Sequence, residues 1–273
     1  MEKKLPSSTK VVVIGGGVVG CSVAYHLAKF GWKDTILVER DQLTSGTTWH
    51  AAGLVSQLGP SAAITKIRKY TLDLYKELEK KVDQSAGLRL NGALSIAENK
   101  VRWQELQRQA TTAQLFDVDV RILDKEQIKK DYPIVNTDEV LGGILMPGDG
   151  AADPSGVTHM LAKAARMEGA KIFEKSPVDE IITKNGKISG VKVNGQIIDC
   201  EYIVLASGMW SRQIGEKTGV SIPLYPAEHF YVITEPIEDL SKTLPAVSYT
   251  QLGAHETSCY RVCRRELDKG GGG

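Results

Sequence analysis

The sequence has no surplus of charge, few cysteines, few aromatic residues and no long apolar run, and each shortage removes a class of protein. Thirty-four Lys and Arg stand against 33 Asp and Glu, a net charge of +1. Such a balance gives no field for a phosphate backbone or an anionic bilayer, so neither nucleic acid nor a membrane surface is an expected partner. The four cysteines, Cys21, Cys200, Cys259 and Cys263, are too scattered for a disulfide framework and fit a reducing compartment. Four Trp, nine Tyr and four Phe against 27 Gly describe a turn-rich α/β chain rather than an aromatic-packed β protein. The most apolar stretch, residues 11–28, is interrupted by His26 and three glycines and is too short to span a bilayer comfortably. Residues 1–10 are polar and lack an apolar centre, so no targeting segment is visible. The 273 residues, 42% of them apolar, suffice for one large or two modest soluble domains.

The first 40 residues are the most legible. Val11–Ile14 is a β-branched run expected of a parallel strand buried on both faces. Gly15, Gly16 and Gly17 break it, residues 18–30 read as a helix ending at Gly31, and residues 35–38 read as a second strand ending in Glu39. This is one βαβ unit. Residues 61–84 carry Ile64, Ile67, Tyr70, Leu74, Leu78 and Val82 at helical spacing, with Glu77 and Lys81 as an i,i+4 pair on the outer face. Further helices are predicted over 99–114, 124–132 and from Asp153-Pro154 to Gly169. From Lys171 the period changes to two. Short strands are predicted at 172–173, 178–182, 188–193 and 197–200, with hairpin turns at Asn185-Gly186 and Asn194-Gly195. A separate apolar strand at 203–206 ends in Ser207-Gly208, and 225–234 reads as a strand feeding another sheet.

Gly15-Gly16-Gly17-Val18-Val19-Gly20 fits G-x-G-x-x-G with a strand before it and a helix after it. The glycines permit a tight turn and close backbone approach to a pyrophosphate, and the helix N-terminus aims N–H groups at that anion. Glu39, 19 residues beyond Gly20, stands where a carboxylate can accept the ribose hydroxyls. The alternative is a glycine-rich turn that merely packs. The motif alone does not choose between NAD and FAD.

Residues 44–55, TSGTTWHAAGLV, form a small-residue loop after the second strand. Here the chain resembles the FAD-dependent dimethylglycine and sarcosine dehydrogenases, within the D-amino-acid-oxidase-like group. The resemblance continues through Pro147-Gly148-Asp149-Gly150 with Asp153-Pro154, the segment IVLASGMW at 203–210, and His229-Phe230-Tyr231, covering residues 10–248. It implies an α/β fold, a Rossmann-like FAD-binding domain with an interleaved, incomplete substrate-binding sheet. The FAD-binding parts are then 1–84 and 148–220, and the substrate parts 85–147 and 221–250. The tail at 251–273 departs from the family's continuation, so the chain reads as a truncated N-terminal portion of a longer flavoprotein.

The resemblance places covalent flavin attachment on His50. An imidazole nitrogen can bond the flavin 8α-methyl carbon; the alternative is a surface-loop or capping histidine. Arg40, beside Glu39, together with Gly46, Thr47, Thr48, Trp49, Ala51, Ala52, Gly53 and Leu54, joins the cofactor set, as do Ser207, Gly208 and Trp210 at a strand's carboxyl end. Val178 is expected to clamp the adenine by its backbone, or to be a plain core valine. His229 and Tyr231 alternate on one strand face, and in the resembling enzymes the histidine there lies near the substrate amine. A base there suits hydride loss from an N-methyl carbon, which needs a free nitrogen lone pair; a satisfied sheet histidine is the alternative.

The implied activity is oxidation of a dimethylglycine- or sarcosine-type N-methyl amino acid. Electrons pass to an electron-transfer flavoprotein or oxygen, and tetrahydrofolate takes the one-carbon unit only in a full-length form. The location is the mitochondrial matrix in a eukaryote, the cytoplasm in a bacterium. A non-catalytic alternative is the regulatory subunit of pyruvate dehydrogenase phosphatase, which residues 227–231 resemble as much, but that branch lacks a histidine matching His50. His26 and His159 are expected within helices. His255, Cys259 and Cys263, spaced by four, could place three ligands on a helix face but lack a fourth for zinc.

Overall fold

The computed structural model describes residues 4–228, 244–249 and 260–261. They form two compact units. The first holds residues 4–53, 74–87 and 152–228, and the second holds residues 54–73, 88–151 and those described beyond 243.

In the first unit, β1 (Ser8–Ile14) and β2 (Thr35–Val38) flank α1 (Val18–Lys29). The unit's sheet also contains β8 (Lys171–Phe173), β9 (Val178–Lys184), β10 (Lys187–Val193) and β11 (Gln196–Leu205), in the order β8-β2-β1-β11-β10-β9. The first four run parallel, and β10 and β9 add antiparallel hairpins. Burial explains the β-branched runs: Val11, Val12, Val13, Ile36, Leu37 and Val38 are all at most 2% exposed. The apolar strands near Val11 and Ile203 are direct neighbours, Val12 facing Ile203 and Ile14 facing Leu205.

Two details differ from expectation. The strands predicted at 197–200 and 203–206 are one ten-residue strand. Its first half completes the hairpin with β10, and from Asp199 onward it also pairs parallel with β1. The change of partner, not a break in the chain, interrupts the alternation. Lys81 binds Glu168 at 2.8 Å rather than Glu77, because α5 (Pro154–Met167) ends beside the last turn of α2 (Ala62–Val82). Asp153 caps α5 through the N–H groups of Ser155 and Gly156, with Pro154 at the first position.

The second unit contains a sheet of β5 (Arg121–Leu123), β6 (Gly142–Met146), β4 (Ala93–Ala97), β12 (Ala246–Tyr249) and β13 (Tyr260–Arg261), in that order. A two-stranded ribbon pairs β3 (Leu54–Val55) with β7 (Gly150–Ala151). α3 (Lys100–Gln114) begins at Asn99, whose side chain accepts the Arg102 N–H, and α4 (Lys125–Asp131) begins with a capping box between Asp124 and Gln127. The first half of α2 buries Leu72 and Thr65 and leaves Ile64, Ile67 and Tyr70 exposed, so the expected apolar stripe holds only from Leu74 onward. Residues 225–228 are irregular rather than strand. The remainder of the strand predicted at 225–234 lies outside the described residues, as do His229, Tyr231, His255, Cys259 and Cys263. Among the described residues no helix is long and apolar enough to cross a membrane.

Candidate functional site

Four parallel strands of the first unit end on the same edge of the sheet, followed there by Gly15 after β1, Glu39 after β2, Ala206-Ser207 after β11 and Glu174 after β8. The carboxyl edge of a parallel sheet is where such folds bind ligands.

The turn from β1 to α1 depends on missing side chains. Gly15 has φ +116°, and a Cβ there would strike the Ala206 carbonyl. A Cβ on Gly20 would collide with the Gly15 carbonyl oxygen, so α1 leaves the strand closer than any other residue permits. Gly17 is the N-cap, and the first turn of α1 contains no acidic side chain. Its leading N–H groups at Val19 and Gly20 therefore form an anion-receptive end without a built-in anion. Val19 is 61% exposed there, an apolar side chain at the open mouth.

The Glu39 carboxylate reaches back over this turn. Its Oε2 accepts the Gly16 N–H at 2.6 Å and its Oε1 the Asp41 N–H at 3.0 Å. A carboxylate has about four lone-pair directions, so two remain for hydroxyl donors. Thr48 connects the next loop to the same place, its hydroxyl accepting the Val18 N–H at 3.2 Å. Residues 48–50 make a single 3-10 turn, the Trp49 and His50 rings lie 3.6 Å apart between centroids, and His50, Ala51 and Ala52 are exposed. Thr47 accepts the His50 N–H through its carbonyl. Gly53 (φ +75°) closes the loop by accepting the Ala152 N–H at 2.8 Å.

From the far side come Ser207, whose hydroxyl lies 3.2 Å from that of Ser211, Gly208, and Trp210. The Trp210 ring lies 3.2 Å from where a Gly46 Cβ would be, and the Arg40 guanidinium covers it at 4.0 Å. Trp210 thus meets Arg40 and Gly46, two other expected site residues. Val178 begins β9 as expected and packs against the core cluster of Val12, Ile36 and Val191. Leu54 falls in the second unit, on β3. In that unit, Asp149 is 2% exposed and accepts both the Gln57 backbone N–H at 2.9 Å and its side-chain amide at 3.3 Å. Burial raises the Asp149 carboxyl above its ordinary value, against those bonds and the more distant Arg68.

Sequence reasoning passed over Gly16 as a donor to Glu39, and also Leu43 and Glu174. The available signal was positional: Glu174 follows an apolar parallel strand just as Glu39 does. Behind the turn, burial pushes the Cys21 thiol up to about 12; Arg166 opposes this, and Glu39 and Glu174 add to it. Cys21 and Cys200 are both free and buried, so neither offers a ready thiolate.

These features fit a dinucleotide: a glycine cradle that side chains would fill, a helix end without its own anion, and a carboxylate with unused acceptor directions. The comparisons agree. The chain is 37% identical to human sarcosine dehydrogenase, mitochondrial, over 95% of its own length and 28% of that protein. It is 35% identical to human dimethylglycine dehydrogenase, mitochondrial, over 90% of its length and 29% of that protein. The mouse pyruvate dehydrogenase phosphatase regulatory subunit, mitochondrial, is 32% identical over 85% of the chain and 27% of that subunit. The chain therefore spans less than a third of the length of these relatives. Among solved structures, the L-proline dehydrogenase of P. horikoshii matches 90% of the chain and 65% of that enzyme, with a TM-score of 0.82 and 30% identity. Residues 10–264 match the DAO family, FAD dependent oxidoreductase, 16 residues further than the motifs had carried the resemblance. With its nucleotide cradle on the Rossmann-like half and a second sheet interleaved in sequence, the chain belongs to the DAO family of FAD-dependent oxidoreductases.

Proposed function

We propose that this chain is the FAD-binding portion of an oxidoreductase that oxidises a small N-methyl amino acid of the sarcosine or dimethylglycine type. The observation that carries the reading is the Thr48–Val18 hydrogen bond, which anchors the His50 loop at the end of the helix where a pyrophosphate binds. The N–H groups of Val19 and Gly20, with the backbone of Gly15 and Gly17, hold the pyrophosphate, while the Val18 N–H stays with the Thr48 hydroxyl. Glu39 accepts the ribose hydroxyls with its free lone pairs. The backbone and hydroxyls of Gly46, Thr47, Ala51, Ala52 and Gly53 line the ring system, with Ser207 and Gly208 at its margins. Val178 offers its backbone to the adenine. FAD, when bound, supplies the hydride acceptor.

His50 is the residue of covalent attachment: it is exposed on the anchored loop, and the stacked indole of Trp49 restricts its ring. His229 takes the proton from the substrate ammonium, freeing the lone pair that hydride loss requires, and Tyr231 is the second residue assigned to the substrate. The electron acceptor is an electron-transfer flavoprotein or oxygen, and tetrahydrofolate receives the one-carbon unit only in a longer form. Two relatives named as mitochondrial support a matrix location if the protein is eukaryotic.

Acid precipitation tests the assignment. The FAD-loaded protein should keep its yellow colour in the pellet, and His50→Ala should release the flavin to the supernatant. Equal release from both removes His50 from the role. The similarity to the phosphatase regulatory subunit favours a second reading, a non-catalytic FAD protein. That reading predicts no bleaching of bound flavin by sarcosine or dimethylglycine under anaerobic conditions.

A further inference from the structure

Glu174 stands at the carboxyl end of β8, on the ligand edge of the sheet, and its Oε1 accepts the backbone N–H of Leu43 at 2.8 Å, 131 residues away in sequence. Three backbone bonds reinforce this contact beyond the end of the β2–β8 ladder. Glu39 N–H donates to the Phe173 carbonyl at 2.9 Å, Ser176 N–H to the Glu39 carbonyl at 2.7 Å, and Lys175 N–H to the Asp41 carbonyl at 2.7 Å. Lys175 adopts φ +51° to make its bond, and the Asn194 amide holds the Lys175 carbonyl at 3.0 Å.

The segment gripped in this way, residues 39–43, is the one that aims Glu39. Asp41, whose carbonyl is held by Lys175, presents its N–H to Glu39 Oε1. Leu43, held by Glu174, is 4% exposed and stands 2.8 Å from where a Gly16 Cβ would be, beside the N–H that binds Glu39 Oε2. Both bonds that orient the Glu39 carboxylate therefore come from backbone fixed by the 174–176 clasp or abutting a residue it holds. Of the four bonds named between residues 39–43 and 173–176, the Leu43 bond is made by a side chain and the other three by backbone alone, so it is the one a substitution can remove.

We propose that Glu174 is a positioning residue for cofactor binding: through Leu43 it holds the 39–43 loop in the shape that presents the Glu39 carboxylate to the nucleotide ribose. The proposal rests on the reading of Glu39 as the ribose acceptor. It goes beyond that reading by assigning the fidelity of the site to a second carboxylate that touches no part of the ligand.

The test is reversible FAD binding to the apoprotein in the His50→Ala background, followed by quenching of flavin fluorescence. Glu174→Ala should weaken binding about tenfold, the loss expected of one hydrogen bond to a charged acceptor. Glu174→Gln, which keeps a side-chain acceptor, should bind within about twofold of the parent, and Glu174→Asp, one methylene short, should fall between. In a Glu39→Ala background the Glu174→Ala effect should drop below about twofold, because a residue acting through Glu39 has nothing left to position. If Glu39→Ala weakens binding but Glu174→Ala binds as the parent does, or weakens it equally with and without Glu39, the proposal is wrong and the Glu39 reading stands. If Glu39→Ala itself binds FAD as the parent does, both fail. Should Glu174→Ala not fold, the Gln and Asp variants decide: equal affinity of the two overturns the proposal.

Discussion

The guanidinium of Arg40 lies 4.0 Å above the ring of Trp210, so a residue that follows β2 and one that follows β11 meet across the carboxyl edge of the sheet. Arg40 is exposed, and its guanidinium covers the indole rather than leaving it open. A cation–π pair at an exposed position contributes about 0.5–1 kcal/mol. Urea denaturation of Arg40→Ala, Trp210→Ala and the double variant should return a coupling of that size. Additive losses would mean that the two residues act independently.

Gly20→Ala should cost about 3 kcal/mol, the upper end of overpacking penalties, because its Cβ meets the Gly15 carbonyl, a backbone atom that cannot rotate away. Gly186→Ala is the control. Its φ is +74° and the space around it is open, so only the left-handed backbone penalty of about 1–2 kcal/mol applies. Chemical denaturation of the two variants should rank them in that order.

Alkaline stability should depend on Cys21. Burial raises its thiol from 9.0 to about 12 in the folded protein, so above pH 9 the unfolded chain releases this proton while the folded chain retains it. The contribution is therefore complete below about pH 9 and is lost progressively as pH rises towards 12. Cys21→Ala should flatten the decline of unfolding free energy across that window, measured by urea denaturation at stepped pH. An unchanged slope would show that the thiol titrates normally.

His229→Ala should slow anaerobic flavin reduction by sarcosine or dimethylglycine at least about 100-fold in the FAD-loaded protein, the lower end for loss of a general base. The deficit should shrink at high pH, where more of the amine is neutral. Stopped-flow reduction at parental rates across the pH range would make the residue structural.

The nucleotide half was legible because its signals are local. Val11–Ile14, the glycine turn and Glu39 lie close together in sequence, and Asn185-Gly186 and Asn194-Gly195 turn the hairpins with the left-handed angles their sequence suggests. The second sheet was not read strand by strand. β6 begins with Gly142-Gly143, which resembles a breaker, yet Gly143 is in the strand because a Cβ would come within 2.8 Å of the Ser95 carbonyl oxygen on β4. The Leu43–Glu174 and Arg40–Trp210 contacts were invisible for another reason: each joins residues far apart in the chain, and no periodicity encodes such a meeting.

The change of partner along β11 also sets a timetable. Ser8 of β1 pairs with Asp199, about 190 residues later, so the central strand leaves the ribosome long before its neighbour exists. At about 5–20 residues per second, β1 waits roughly 10–40 s with one edge open. During that interval β2 alone can cover it, and the glycine turn lacks the Ala206 carbonyl that packs against Gly15. Until β11 arrives, the open edge of β1 is the point at which a holding chaperone has most to protect.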